Sequence, residues 1–373
     1  MKQRSIEKKS IKKVIMVIVI FLLSAILSFA LVTFAVHRVR TNKEIESLKA
    51  QGYYNPVSVG DYSLNVAKFG NENGKHTIIG LAGLGSGDYS VTARQMTKEL
   101  EKDNQVIFVD RAGYGFSDDT DNEMTLEYIV EDYRKALKNA GVKAPYILMP
   151  HSVGGAYANY WASNYPDEIE GIVFVDGSQL CATAFEEESA YKVGLGDRCL
   201  ATLAKMGMSR YVLRDYSYQY PDNFSEEEQY LGDALTFLTL DSIAPVSEAG
   251  LLAENSQNAF NTIVTNDIPK LYICASWGFT TKEEIIETNI WTNHQIEINN
   301  IDTELRATSY DDNDETLKKI LDMYKDGREN TIKPYAEKMG NCKVVNLAGD
   351  HMIYQQKPEE AGKLIKGFVD DLG

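Results

Sequence analysis

The chain has 373 residues, 44% apolar and 25% charged, proportions that exclude a disordered chain and suit a folded one. Its formal charge is −16, and because residues 1–13 carry Lys2, Arg4, Lys8, Lys9, Lys12 and Lys13 against Glu7, everything after Lys13 sums to −21. So acidic a domain repels phosphate backbones, which argues against a nucleic-acid partner and favours neutral or cationic substrates.

The first predicted element covers Val14 to Val36, 23 residues without a charge. At 1.5 Å per residue they reach about 34 Å as a helix, enough for the hydrocarbon core of a bilayer. Ser28 and Ala30 could form the cleavage site of a signal peptide, but the apolar run exceeds the usual length of about 7–15 residues for such a segment. Six basic residues precede the run, while Arg38, Arg40, Lys43 and Lys49 follow it among Glu44 and Glu46. This bias predicts a single-pass protein of the cell membrane with a cytoplasmic N-terminus and an extracytoplasmic domain. The expected parts are a cytoplasmic tail (1–13), a transmembrane helix (14–36) and a polar juxtamembrane linker (37–55).

From residue 56 onward β-rich apolar runs alternate with helical patterns, as in an α/β fold whose mostly parallel sheet is covered by helices on both faces. The predicted strands are 63–69, 76–83, 105–110, 146–150, 171–176, 270–275 and 343–349, in a sheet of about eight. Helices are expected over 125–141, from Val153 to about Tyr165, and over 357–372. The rhythm breaks at 178–267, a helical, Tyr-rich insertion expected to form a cap between core segments 56–177 and 268–373. A second irregular stretch, Trp277 to about Asp314, is longer than a compact domain tolerates unless it serves a site. Of four cysteines, Cys181 and Cys199 could pair in an exported domain, although buried thiols fit equally well. With no CxxC motif and five scattered histidines, neither a metal site nor a cofactor is expected.

The segment Met149-Pro150-His151-Ser152-Val153-Gly154-Gly155 lies between a strand and a helix, where a nucleophile elbow lifts a serine above a sheet. Small residues must flank such a serine because strand and helix pack closely around a strained backbone. Gly154 meets that need. Position 150, where glycine is usual, is proline.

In four segments the chain resembles the α/β hydrolases: LAGLGSGDYS (81–90), DRAGYGFSD (110–118), PHSVGGAYANYWASNYP (150–166) and AGDHMIYQQKPEE (348–360). The Pro-His-Ser and Tyr-Trp-Ala wording resembles a subgroup found in bacteria. The resemblance implies a serine hydrolase with Ser152 as nucleophile. A serine hydroxyl needs a base within hydrogen-bond reach, and His351, in the Gly-x-His pattern before the last helix, matches the family's base position. His151 is expected to point away from Ser152 and to be structural.

The family most often places its third member, a carboxylate, after the penultimate strand, but here no carboxylate follows Cys274 before Glu283. Asp176, at the end of the preceding strand, is an alternative position that some family members use and is favoured here; Glu283, Glu284 and Asp302 are the other candidates. The resemblance also implies an oxyanion hole from the backbone N–H groups of Leu84 and Val153. Asp110-Arg111 and Gly113-Tyr114-Gly115 are expected to shape the fold near the site. The expected reaction is hydrolysis of an ester, thioester or amide with a small-molecule or lipid-like acyl substrate. A peptidase similar to proline iminopeptidases and a catalytically silent scaffold that binds a partner are the competing readings.

Overall fold

The computed structural model describes residues 2–372 except 179, 182–190, 213–219 and 289–313. Its centre is one sheet formed by β1 (Pro56–Ser58), β2 (Ser63–Gly70), β3 (Thr77–Leu81), β4 (Gln105–Val109), β5 (Tyr146–Ser152), β6 (Ile169–Gly177), β7 (Lys270–Cys274) and β8 (Cys342–Asn346). The spatial order is β1-β2-β4-β3-β5-β6-β7-β8. β1/β2 and β2/β4 are antiparallel, and every pairing from β4 onward is parallel.

The inner parallel strands β3 to β7 are buried on both faces because helices cover both faces, whereas the edge strand β8 is largely exposed. Neighbouring residues of one strand therefore enter different cores: Ile79 and Leu81 pack on one side of β3, Ile78 on the other. The first core gathers residues of α4 (Leu126–Asn139) and α5 (Gly154–Asn164), with Trp161 fully buried at its centre. The second core gathers residues of α2 (Tyr89–Thr92), α3 (Arg94–Thr97) and, from the other end of the chain, Ile365 and Val369.

α4 shows how local sequence sets an element. Thr125 accepts a hydrogen bond from the Tyr128 N–H at 3.3 Å, capping the helix start, and Leu126, Ile129, Val130, Tyr133 and Leu137 form the buried stripe. Gly141, at φ +74°, follows the helix end.

Between β6 and β7 stand α6 (Leu195–Lys205), α7 (Ser209–Val212), α8 (Glu226–Leu240), α9 (Ala244–Gly250) and α10 (Leu252–Thr262). α8 coincides with the EEEQYLGDALTFLTL segment, and a reciprocal cap fixes its start: Ser225 Oγ accepts the Glu228 N–H while the Glu228 carboxylate accepts the Ser225 N–H. β7 leads to α11 (Lys282–Glu287). α12 (Asp314–Gly327) and α13 (Lys333–Met339) precede β8, and α14 (Ile353–Gln356) and α15 (Pro358–Asp371) close the chain. Most of the second irregular stretch, with His294 and Asp302, lies outside the described residues.

α1 (Lys2–Ala50) contains the predicted apolar helix, is long and apolar enough to cross a membrane, and leaves Val14–Phe34 largely exposed. It continues through 37–50, where a polar linker is expected. No glycine or proline interrupts that segment, Arg40 pairs with Glu44 one turn on at 2.9 Å, and the Glu44 carboxylate receives Arg210 Nη1 of α7 at 3.0 Å. No disulfide joins Cys181 and Cys199; Cys199 lies exposed on α6 and Cys181 is half-buried.

Candidate active site

Three of the expected residues sit at the carboxyl edge of the parallel strands. Ser152 ends β5, Asp176 is the penultimate residue of β6, and His351 lies in the loop beyond β8. The β5/β6 ladder pairs Ser152 with Gly177, which brings the serine backbone next to Asp176.

Ser152 has φ +50° and Asp176 φ +45°, conformations that L-residues with a Cβ avoid unless the surroundings impose them. At Ser152 the surroundings are two glycines. A Cβ on Gly154 would lie 2.6 Å from the Leu81 carbonyl oxygen, and one on Gly83 would lie 2.8 Å from His151 Nδ1 and 3.1 Å from Ser152 Cβ. Gly154 therefore abuts the backbone at the end of β3, and Gly83 of the loop after β3 abuts the His151 and Ser152 side chains. Pro150 stands inside the sheet in register with Leu81 of β3, and the β5/β6 register shifts between His151 and Ser152, where the sharp turn begins. Close packing at this elbow is supplied by Gly154 and Gly83 rather than by position 150.

Asp176 is fully buried and both of its oxygens are occupied. Oδ2 lies 2.7 Å from His351 Nδ1, and Oδ1 accepts the backbone N–H groups of Ala275 and Ser276 at 2.7 and 3.1 Å. Burial pushes the carboxyl pKa upward, but the His351 hydrogen bond and charge, with the Ala275 amide and the Ser276 side chain, outweigh it and hold Asp176 below its usual range. Burial lowers the His351 pKa, and the Asp176 hydrogen bond and charge reverse this, leaving it above 6.5. His351 keeps 34% of its side chain exposed while its partner keeps none, so Nδ1 is engaged inside and the outer edge of the ring stays accessible.

Of the other acid candidates, Asp302 lies outside the described residues, and Glu284 and Glu283 are placed away from His351 on α11. Glu284 Oε2 accepts the Thr280 and Thr281 N–H groups at 2.7 and 3.0 Å and caps α11. Glu283 is exposed on the same helix. Asp350, beside His351, accepts the Met352 N–H at 2.9 Å and so shapes the loop.

His151 takes a position beside His351 that the sequence does not indicate. It faces the base: its Nε2 donates to the His351 backbone carbonyl at 2.9 Å, and the two rings lie 4.7 Å apart. Burial first, and the His351 charge second, depress its pKa to about 3, so the ring is neutral at physiological pH with its proton on Nε2. Tyr354 packs edge-on against it and Tyr89 stacks at 6.0 Å. Nothing in the local pattern around position 151 signals this contact, which spans 200 residues.

Arg111 and Glu248 form a second feature that spacing could not reveal. Both side chains are buried, with Arg111 Nε 3.0 Å from Glu248 Oε2. Arg111 Nη1 and Nη2 donate to the Ala82 and Gly83 carbonyls at 2.6 and 2.8 Å, and Tyr157 Oη donates to Glu248 at 2.5 Å. In a trans peptide the carbonyl and the following N–H point in opposite directions, so fixing the Gly83 carbonyl aims the Leu84 N–H away from Arg111. Tyr114 Oη meanwhile accepts the Gly85 N–H at 3.0 Å. Val153, whose N–H is the other expected donor, precedes the first turn of α5, where amides have no partner within the helix. Asp110 accepts from the Phe116 N–H and from Asn65, and burial raises its pKa to about 7; with Arg111 it shapes the loops around the site. His76 lies apart at the start of β3, 3.0 Å from Glu170. Among the described residues no group of three or more His, Cys, Asp or Glu side chains could hold a metal ion.

Residues 78–198 match the family model of the alpha/beta hydrolase fold. The uncharacterised YbdG protein of Bacillus subtilis is 35% identical over 168 residues, 45% of this chain and 50% of that protein. The chain spans half or less of the length of the curated relatives it matches. Among solved structures, the haloalkane dehalogenase DbeA from Bradyrhizobium elkani superposes with a TM-score of 0.54 at 15% identity, covering 85% of this chain and 97% of that one. A protein from Acinetobacter baumannii described as a candidate lipase superposes with a TM-score of 0.52 at 17% identity, covering 89% and 96%. These likenesses are likenesses of fold.

Proposed function

This chain has the α/β-hydrolase fold, and on that premise we propose that it is a membrane-anchored serine hydrolase acting through an acyl-enzyme on Ser152. The reading is carried by one observation: the 2.7 Å contact between His351 Nδ1 and a buried, amide-bound Asp176, beside a serine held at φ +50°.

Ser152 Oγ attacks the carbonyl carbon of an ester, thioester or amide while His351 Nε2 takes the hydroxyl proton. The carbonyl oxygen becomes an oxyanion, and the Leu84 and Val153 N–H groups are the donors assigned to it. As the tetrahedral intermediate collapses, the bond to the leaving group breaks and the imidazolium returns its proton to that group. Water then attacks the acyl-enzyme with His351 again as base, releasing the acid and restoring the serine. Asp176 fixes the imidazole tautomer and stabilises the imidazolium without itself being protonated. A halide displacement of the kind run by the dehalogenase relatives in fold needs an aspartate at the elbow, where this chain has Ser152.

In this reading the apolar part of α1 is the anchor, spanning once with the N-terminus cytoplasmic and the catalytic domain outside the cytoplasm. Support for the anchor is length, composition and exposure of the helix; support for the orientation is the basic cluster before it. The substrate is assigned to the acyl class, small or lipid-like. The test is pre-steady-state hydrolysis of a chromogenic ester whose deacylation is slow. A burst of leaving group equal to the enzyme concentration is expected, abolished in Ser152→Ala; steady release without a burst, unchanged in that variant, would remove the acyl-enzyme from the account.

A further inference from the structure

Within the insertion, α6 and α7 carry an apolar face that the fold leaves bare. Leu195, Leu200 and Val212 are 79%, 67% and 68% exposed, and Leu203 and Tyr211 stand beside them. A groove of about 460 Å³ runs between these helices and Leu240 and Val246, lined also by Met208. Soluble surfaces rarely gather so many large apolar side chains on two short helices unless something covers them.

The contacts with α1 identify the cover. Gly207, in the turn between α6 and α7, has φ +83° and sits where a Cβ would meet His37 Cβ at 2.5 Å and the Thr33 carbonyl oxygen at 3.2 Å. The turn thus lies directly on α1. Arg210 reaches the polar residues beyond the apolar run, with Nε 3.1 Å from His37 Nδ1 and Nη1 3.0 Å from Glu44. The adjacent Tyr211 packs instead on Phe29, ring centres 6.4 Å apart. Phe29 lies seven residues inside the run that ends at Val36, about 10 Å along the helix axis. One short helix therefore puts its charge against the polar end of α1 and its ring against the apolar part.

We propose that the α6–α7 face of Leu195, Leu200, Leu203, Tyr211 and Val212 is seated in the lipid bilayer alongside α1, as a second membrane contact that holds the insertion at the membrane surface. The inference rests on the reading of α1 as a spanning helix. The occupant is lipid rather than a second copy of the chain because the face adjoins the exposed apolar part of α1 through Tyr211 on Phe29, a part which that reading already assigns to lipid. The depth also agrees, since amphipathic helices bury their apolar face about 5–10 Å into the boundary between headgroups and acyl chains.

The test uses the full chain in phosphatidylcholine vesicles, with a fluorescent dansyl amino acid incorporated at one position per sample: Leu200, Val212, Phe21 in α1, or exposed Glu72 in the turn between β2 and β3. Lipids carrying a nitroxide high on the acyl chain should quench the Leu200 and Val212 probes about twofold, as expected for a face at interfacial depth. Phe21 should respond to a nitroxide deep in the chain and Glu72 to neither. If Leu200 and Val212 both behave like Glu72 while Phe21 is quenched, the inference is wrong and the anchor stands. If Phe21 is not quenched either, anchor and inference fall together. Blue-shifted but unquenched emission at Leu200 and Val212 would mean that protein covers the face, and would overturn the assignment to lipid. Two probe sites guard against one of them disturbing the fold.

Discussion

At the carboxyl edge of the sheet Ser152, Asp176 and His351 are held by strand ends and buried hydrogen bonds, whereas α6 and α7 expose Leu195, Leu200 and Val212 and lie against α1. The difference follows from what each region has to meet. Reacting groups must be fixed within fractions of an ångström, and strands locked in a ladder between two packed cores do that. A face meeting a fluid partner needs only apolar area at the right depth, which helices outside the sheet can provide. The two regions touch through α9: its Glu248 is the buried counter-ion of Arg111, which grips the Ala82 and Gly83 carbonyls beside the elbow.

Substitutions on either side of that divide should separate in size. Asp176→Asn should lower kcat by about 10⁴-fold, the cost of leaving a triad histidine in the wrong tautomer. The pH profile sharpens this prediction. The His351 pKa is raised above 6.5 and the base works only when neutral, so activity should rise with pH through a midpoint above 6.5. Asn at 176 removes the charge that raises the pKa while burial, which lowers it, remains; the residual activity should therefore rise at a lower pH than in wild type. An unmoved midpoint would detach Asp176 from His351.

Next in size is Glu248→Ala, which leaves the Arg111 guanidinium buried without its counter-ion. A loss of about 3–5 kcal/mol in urea unfolding is expected. A loss near zero would mean that the pair does not tie the insertion to the loop after β3.

A smaller effect is expected for His151→Phe, which keeps the ring between Tyr89 and Tyr354 and deletes the donor to the His351 carbonyl. Stability should fall by about 1 kcal/mol, measured by the same unfolding, with kcat/KM falling less than about tenfold. A fall as large as that of Asp176→Asn would place His151 in the chemistry itself. Glu283→Gln, on exposed α11, should leave kcat within roughly twofold, in line with surface substitutions generally.

Much of the candidate site was legible because it is written in short segments. The buried strands are contiguous apolar runs, the elbow is a strand, a serine and a glycine within seven residues, and Asp176 closes GIVFVD. Contacts between distant segments were not legible. His151 and its partner His351 are 200 residues apart, and Arg111 and Glu248 137 apart, with no periodicity to join them. The same holds for α1 beyond Val36. Its composition reads as a polar linker, and its helical course is fixed by Glu44 meeting Arg210 across 166 residues. Asp302 and His294 fall in a stretch whose composition predicted no element, outside the described residues.

The most direct test is labelling with a fluorophosphonate followed by mass mapping of the modified peptide. The account predicts one adduct, on the β5–α5 peptide at Ser152, absent in Ser152→Ala and strongly slowed in Asp176→Asn. Folded wild-type protein that takes up no label, or carries it on another residue, would contradict the account.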